Sequence, residues 1–309
     1  MNPYGGQNFW GFFSVLLQRL TGQLPLNQLP SDELQLLVLI GVVLSTTLLG
    51  TFLSLKKITM MANALSHTTL LGIVLAYLIL GTATPVISLD PSSLLLAALI
   101  SAALTALLTQ LAKDLLKLPE DAAIGLVFTT LFALGIILVT VFTRNAHIGV
   151  ETITGNVDAL HPEDLRLVGI IAALNTAMIV LFFRQWTMTA FDEKLSFSLG
   201  IPTSVFHYLL MLLTSLTLIA AFRAVGVLLV LSFLVGPTLI ARLWTDRLIP
   251  LLLLGLSIGI GISILGVALS RHCLSVYHTP LSTGGLVVTL IAIGYLISAL
   301  PIKRLTFRS

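Results

Sequence analysis

The chain has 309 residues, 57% of them hydrophobic and 9% charged, with a mean hydropathy of +1.05 and a formal net charge of +3. Soluble domains carry about 25% charged residues, so this chain has too few to cover a water-facing surface. The composition excludes an ordinary soluble domain and implies an all-α, polytopic bundle of membrane-spanning helices. The sixteen basic residues lie in short segments between apolar runs, which reads as membrane topology and gives no reason to expect a nucleic-acid partner. One cysteine, Cys273, excludes an intrachain disulfide, and no Cys/His cluster has the spacing of a zinc site.

Residues 1–33 read as an N-terminal extracytoplasmic or interfacial segment. Within it, Asn8 to Leu20 is too short to span and carries Trp10, Phe12 and Phe13, rings suited to the headgroup level. Residues 34–309 form one membrane domain, in which apolar runs bounded by charge, Pro or Gly predict about nine spans. These are Leu34–Leu55, Ile58–Gly81, Ser93–Ala112, Ala122–Thr143, Leu165–Phe183, His207–Phe222, Gly226–Leu243, Leu248–Leu269 and Thr283–Leu300. With the N-terminus outside and the C-terminus cytoplasmic, eleven Lys and Arg side chains fall inside and five outside, which satisfies the positive-inside rule.

Two hydrophilic segments interrupt the apolar pattern. The outer one, from Arg144 to Asp164, contains His147, Glu151 and His161, candidates for guiding an incoming cation; a plain solvated loop is the alternative reading. The inner one, 184–206, contains Asp192 and Glu193 followed by Leu199, Gly200 and Pro202. That order predicts a short helix capped by Asp192 and stopped at Gly200, too short to be stable alone and so suited to support by a partner; a simple connecting loop is the alternative.

All thirteen acidic residues fall in loops on this reading, which argues against a carboxylate-based proton relay. The chain contains no Gly-Lys dipeptide, hence no Walker-type phosphate loop, and no His-Glu-x-x-His pattern of a metalloprotease. The most polar stretch of any span is Thr59 to Thr69. There Asn63, Ser66 and His67 share one helical face, costly against lipid and chemically able to ligate a first-row metal ion. Hydrogen bonding to neighbouring helices is the alternative role. Gly255, Gly259, Gly261 and Gly266 lie in an apolar helix with no preceding strand, so they read as packing residues rather than a nucleotide fingerprint.

Several blocks together resemble the membrane permease subunit of bacterial zinc, manganese and iron(II) ABC importers. Asn63 to His67, continuing through Thr68, Gly72 and Tyr77, resembles that family's Asp-Ala-Leu-Ser-His segment. Pro119 to Gly125 resembles its Glu-Asp-x-x-x-Gly segment, Phe191 to Pro202 its cytoplasmic coupling loop, and Ala224 to Arg242 a later block of the family. The resemblance implies an ABC importer permease fold in the bacterial cytoplasmic (inner) membrane, moving a divalent metal ion as cargo with no permanently bound cofactor. It implies as partners a second permease half, a cytoplasmic ABC ATPase dimer that performs the hydrolysis, and an extracytoplasmic metal-binding protein. It carries over His67 as a ligand on the metal path and Asp192, Glu193, Leu199 and Gly200 as the contact to an ATPase groove. Asn63 stands where the family usually has Asp, so a heterodimer whose other half keeps the acid is expected over a homodimer, the alternative being transit by weak neutral ligation suited to release. The competing class is a secondary, ion-coupled transporter of a metal or small solute.

Overall fold

In a hydrocarbon environment every backbone amide and carbonyl must find its partner within the protein, and an α-helix satisfies them locally. The computed structural model describes residues 3–21, 30–81, 91–142 and 156–300, and these are helical throughout apart from short connections and one 3-10 turn at Val157–Ala159. The helices are α1 (Phe9–Leu20), α2 (Ser31–Leu55), α3 (Thr59–Gly81), α4 (Pro91–Leu116), α5 (Glu120–Phe142) and α6 (Pro162–Leu181). They continue with α7 (Phe183–Phe191), α8 (Glu193–Ser198), α9 (Thr203–Val225), α10 (Val227–Trp244), α11 (Leu248–Tyr277) and α12 (Thr283–Ala299). Among the described residues, six helices are long and apolar enough to cross a membrane: α2, α5, α6, α9, α10 and α11. Each of the nine expected spans falls on a helix, but length and composition support six of them.

The bundle is organised around α2, which packs against α6, α9, α10 and α11. A second group, α3, α4 and α5, packs together and joins the first mainly through α9. Small residues set the closest approaches. A Cβ at Gly50 would stand 1.8 Å from the Leu234 carbonyl oxygen, so α2 and α10 touch backbone to backbone. On α11, Gly259 meets Val43 of α2 and Gly266 meets Val287 of α12, while Gly255 lies against Thr47; Gly261 faces open space. The packing role expected of this glycine series therefore holds for three of its four members.

Two helix ends differ from the sequence reading. Helix α2 begins at Ser31, which brings Asp32 and Glu33 out of the expected loop and into its first turn, both buried. The positive end of the helix dipole favours acids there. Helix α11 runs 30 residues to Tyr277, so Arg271, His272 and Cys273 lie within it instead of in an outer turn.

Candidate functional site

At the end of the bundle where α2 starts and α11 finishes, buried charges tie separate segments together. Arg271 of α11 forks onto Asp32, its Nε 2.7 Å from Oδ1 and its Nη2 facing both carboxylate oxygens. Arg19 of α1 donates from Nε and Nη2 to Glu33 at 2.6 and 3.0 Å, and the Tyr4 hydroxyl donates to Glu33 Oε1 at 2.9 Å. Burial and the Glu33 carboxylate raise the Tyr4 phenol above its ordinary value. Asp158 of the 3-10 turn accepts from Thr283 Oγ1 at 2.5 Å, from the Thr283 amide at 3.3 Å and from Gln35 Nε2 at 3.3 Å. Of the candidates for cation guidance, His161 is exposed at the start of α6, where its backbone amide donates to Asp164 at 3.0 Å; His147 and Glu151 lie outside the described residues. Asp32, Glu33, Asp158 and Asp164 are each engaged in holding helices, a role the sequence reading missed because partners such as Asp32 and Arg271 are 239 positions apart.

Within α3, Asn63 and His67 are both half-buried and lie one turn apart. The His67 ring sits against Phe128 and Phe132 of α5, with centroids 5.4 and 5.2 Å away, and those two rings stack on each other at 5.9 Å. Next to it, Thr68 Oγ1 lies 2.9 Å from Thr105 Oγ1 of α4. The backbone of Ser66 is in the same helix, but its side chain lies outside the described residues. Among the described residues no group of three or more His, Cys, Asp or Glu side chains converges. His67 and Asn63 thus present neutral donors on one face of α3, with His67 beside an aromatic wall, and α3 itself contains no carboxylate.

The opposite end of the bundle carries a projecting arm made of α7 and α8. Its root is Trp186, fully buried between Phe52 of α2 and Phe206 of α9 at 5.7 and 5.4 Å, with Nε1 donating to the Met178 carbonyl at 3.3 Å. A tryptophan in an otherwise polar segment was the available signal, and the sequence reading passed over it. Helix α8 starts as expected: the Leu195 amide donates to Asp192 Oδ1 at 2.9 Å. Glu193 occupies its first turn and is exposed. It stops at Gly200, whose φ of +78° is in the left-handed region, with the Gly200 and Ile201 amides closing onto Phe197 and Ser196 at 3.0 Å each. The arm exposes Leu195, Phe197 and Leu199, at 53, 74 and 57%. Exposed apolar side chains on a six-residue helix of a polar segment suit a protein groove.

Residues 33–301, which include the arm and the whole bundle, match the ABC 3 transport family. The chain belongs to that family. It is 37% identical over 297 residues to the "Probable metal transport system membrane protein" of Chlamydia muridarum, covering 96% of this chain and 93% of the relative. It is 38% identical over 235 residues to the manganese transport system membrane protein MntD of Bacillus subtilis, covering 72% and 77%. The solved PsaBC structure from Streptococcus pneumoniae, determined with a Fab, superposes with a TM-score of 0.71 at 28% identity over 87% of this chain and 91% of that one. An inward-facing metal-chelate type ABC transporter structure shares the fold, with a TM-score of 0.62 at 15% identity over 94% and 97%.

Proposed function

We propose that this ABC 3 family chain is the permease subunit of an ATP-driven importer that moves a divalent transition-metal ion, manganese, zinc or iron(II), across the bacterial cytoplasmic membrane. The observation that carries the reading is the Trp186-rooted arm with its capped, apolar-tipped α8, a handle for a separate motor on a chain without a Walker motif. In this reading Asp192, Glu193, Leu199 and Gly200 shape the contact with a cytoplasmic ATPase dimer, and nucleotide-driven closure of that dimer tilts the bundle between two access states. Metal as cargo is supported by the relatives' names and by the paired neutral donors His67 and Asn63, with Ser66 on the same helical face.

All nine helices α2 to α6 and α9 to α12 are read as spans, residues 34–309 as the permease domain, and residues 1–33 as an outer segment. The N-terminus is then outside and the arm and C-terminus are cytoplasmic. On this reading His161, with the sequence candidates His147 and Glu151, guides an ion delivered by an extracytoplasmic metal-binding protein. Because α3 supplies no carboxylate, the permease is read as half of a heterodimer whose other half contributes the anion. A divalent ion leaving water needs more than neutral donors to offset its lost hydration.

The test is radiolabelled metal uptake into proteoliposomes holding this chain, a second permease half and the ATPase. Uptake should require ATP, and His67→Ala should lower it at least tenfold while the complex remains assembled. Asn63→Asp should slow metal release. Uptake by this chain without an ATPase would overturn the reading.

A further inference from the structure

At the same end as the arm, a cavity of about 260 Å³ opens between the α2–α3 turn, the end of α4, the close of α7 and the start of α9. Lys56, Lys57 and Lys113 line it together with His207, and Glu193 is the one carboxylate among the described lining residues. Helix α9 enters the cavity with its first turns, through Ser204, His207 and Tyr208, and opens without a side-chain cap, so the positive end of its dipole faces the same space. Lys57 holds a left-handed φ of +61°, a conformation that glycine adopts more readily, to complete the turn after α2. Lysines at helix ends complement helix dipoles one by one. Convergence of three on one cavity with the mouth of α9 adds something that capping alone does not require.

We propose that this cavity binds a phosphate-bearing anion, and that its resident form is the headgroup of an anionic phospholipid in the leaflet on the arm side. Exposed Phe191 and Tyr208 flank the lysines, the pairing of aromatic ring and cation that marks headgroup depth. Glu193 belongs both to this cavity and to the surface read as the ATPase contact, whereas Leu195, Phe197 and Leu199 of the apolar tip are not among the lining residues. A phosphate held by Lys56, Lys57 and Lys113 would join the α2–α3 turn to the end of α4 beside the arm, with Glu193 the one described lining group whose charge opposes an anion. Only the naming of that leaflet as cytoplasmic rests on the proposed function.

The test uses the full chain in phosphatidylcholine nanodiscs, with no ATPase and no metal, so its outcome is read separately from that of the transport reading. Spin-labelled phosphatidylglycerol should be immobilised in excess of spin-labelled phosphatidylcholine. The excess affinity should fall roughly fivefold for each of Lys56→Gln, Lys57→Gln and Lys113→Gln, and on the order of a hundredfold for the triple variant; the triple Arg variant should retain it. A second arm titrates inorganic phosphate in the absence of phosphatidylglycerol. Lysine-dependent phosphate binding without a phosphatidylglycerol preference would keep the anion site but overturn the lipid as its occupant. If the Gln variants do not fold, protection of the three lysines of the unaltered chain from amine acylation by phosphatidylglycerol or phosphate decides, and absence of protection by either overturns the proposal. So does lipid retention unchanged in the triple variant.

Discussion

Arg271, half-buried, and Asp32, buried, join α11 to α2 as an ion pair, and the energetics of pairs withdrawn from water are asymmetric. Taking two charges out of water nearly cancels their attraction, whereas removing one partner leaves the other buried and uncompensated. Arg271→Ala should therefore destabilise the protein by about 3–5 kcal/mol, read as a fall in melting temperature in detergent, and adding Asp32→Asn should restore much of it. The neighbouring Glu33, held by Arg19 and Tyr4, gives a pH prediction for the N-terminal segment. The Tyr4 phenol is raised in the folded state by burial first and by Glu33 second. An unfolded tyrosine ionises near 10. The contribution of Tyr4 is then fully present below that pH and is lost as pH rises through the higher folded value. Proteolysis between residues 3 and 21 should accelerate above pH 10 in the unaltered chain, and Tyr4→Phe should remove that dependence on the phenol.

The arm shows what local chemistry can and cannot announce. Asp192 before an amphipathic turn and Gly200 after it are cap and stop within nine residues, so α8 was readable from the sequence, and the structure has both interactions. The root of the arm was not readable, because the value of Trp186 lies in Phe52 and Phe206, which only the folded bundle brings to it. The same division applies to the interior. Placing Asn63 and His67 on one face needs only helical spacing, but the rings that meet His67 come from α5, some sixty residues later. Likewise the acids Asp32 and Glu33 looked like loop residues because their cationic partners belong to α11 and α1. Since α8 is exposed and its cap is local, Asp192→Ala should cost about 1 kcal/mol within the arm and leave the melting temperature of the bundle unchanged. Its effect should appear instead in function, as weaker co-purification with the ATPase and slower ATP-driven uptake. A drop in bundle stability of the size expected for Arg271→Ala would show that α8 is part of the core and not a handle.

Orientation of the whole molecule can be tested with the single native cysteine. Cys273 is half-buried near the end of α11, in the layer that contains Asp32, Arg271 and His272, while Ser198 is exposed on the arm at the other end of the bundle. The proposed orientation puts Cys273 on the outer side and Ser198 in the cytoplasm. In spheroplasts a membrane-impermeant maleimide should label Cys273 in the unaltered chain. The Cys273→Ser, Ser198→Cys variant should be labelled only after permeabilisation. The opposite pattern would put the lysine-rich turns at Lys56, Lys57 and Lys113 outside, against the bias of basic residues toward the cytoplasm. It would also leave α8 facing away from any cytoplasmic ATPase, so one labelling experiment bears at once on the topology and on the motor proposed to drive it.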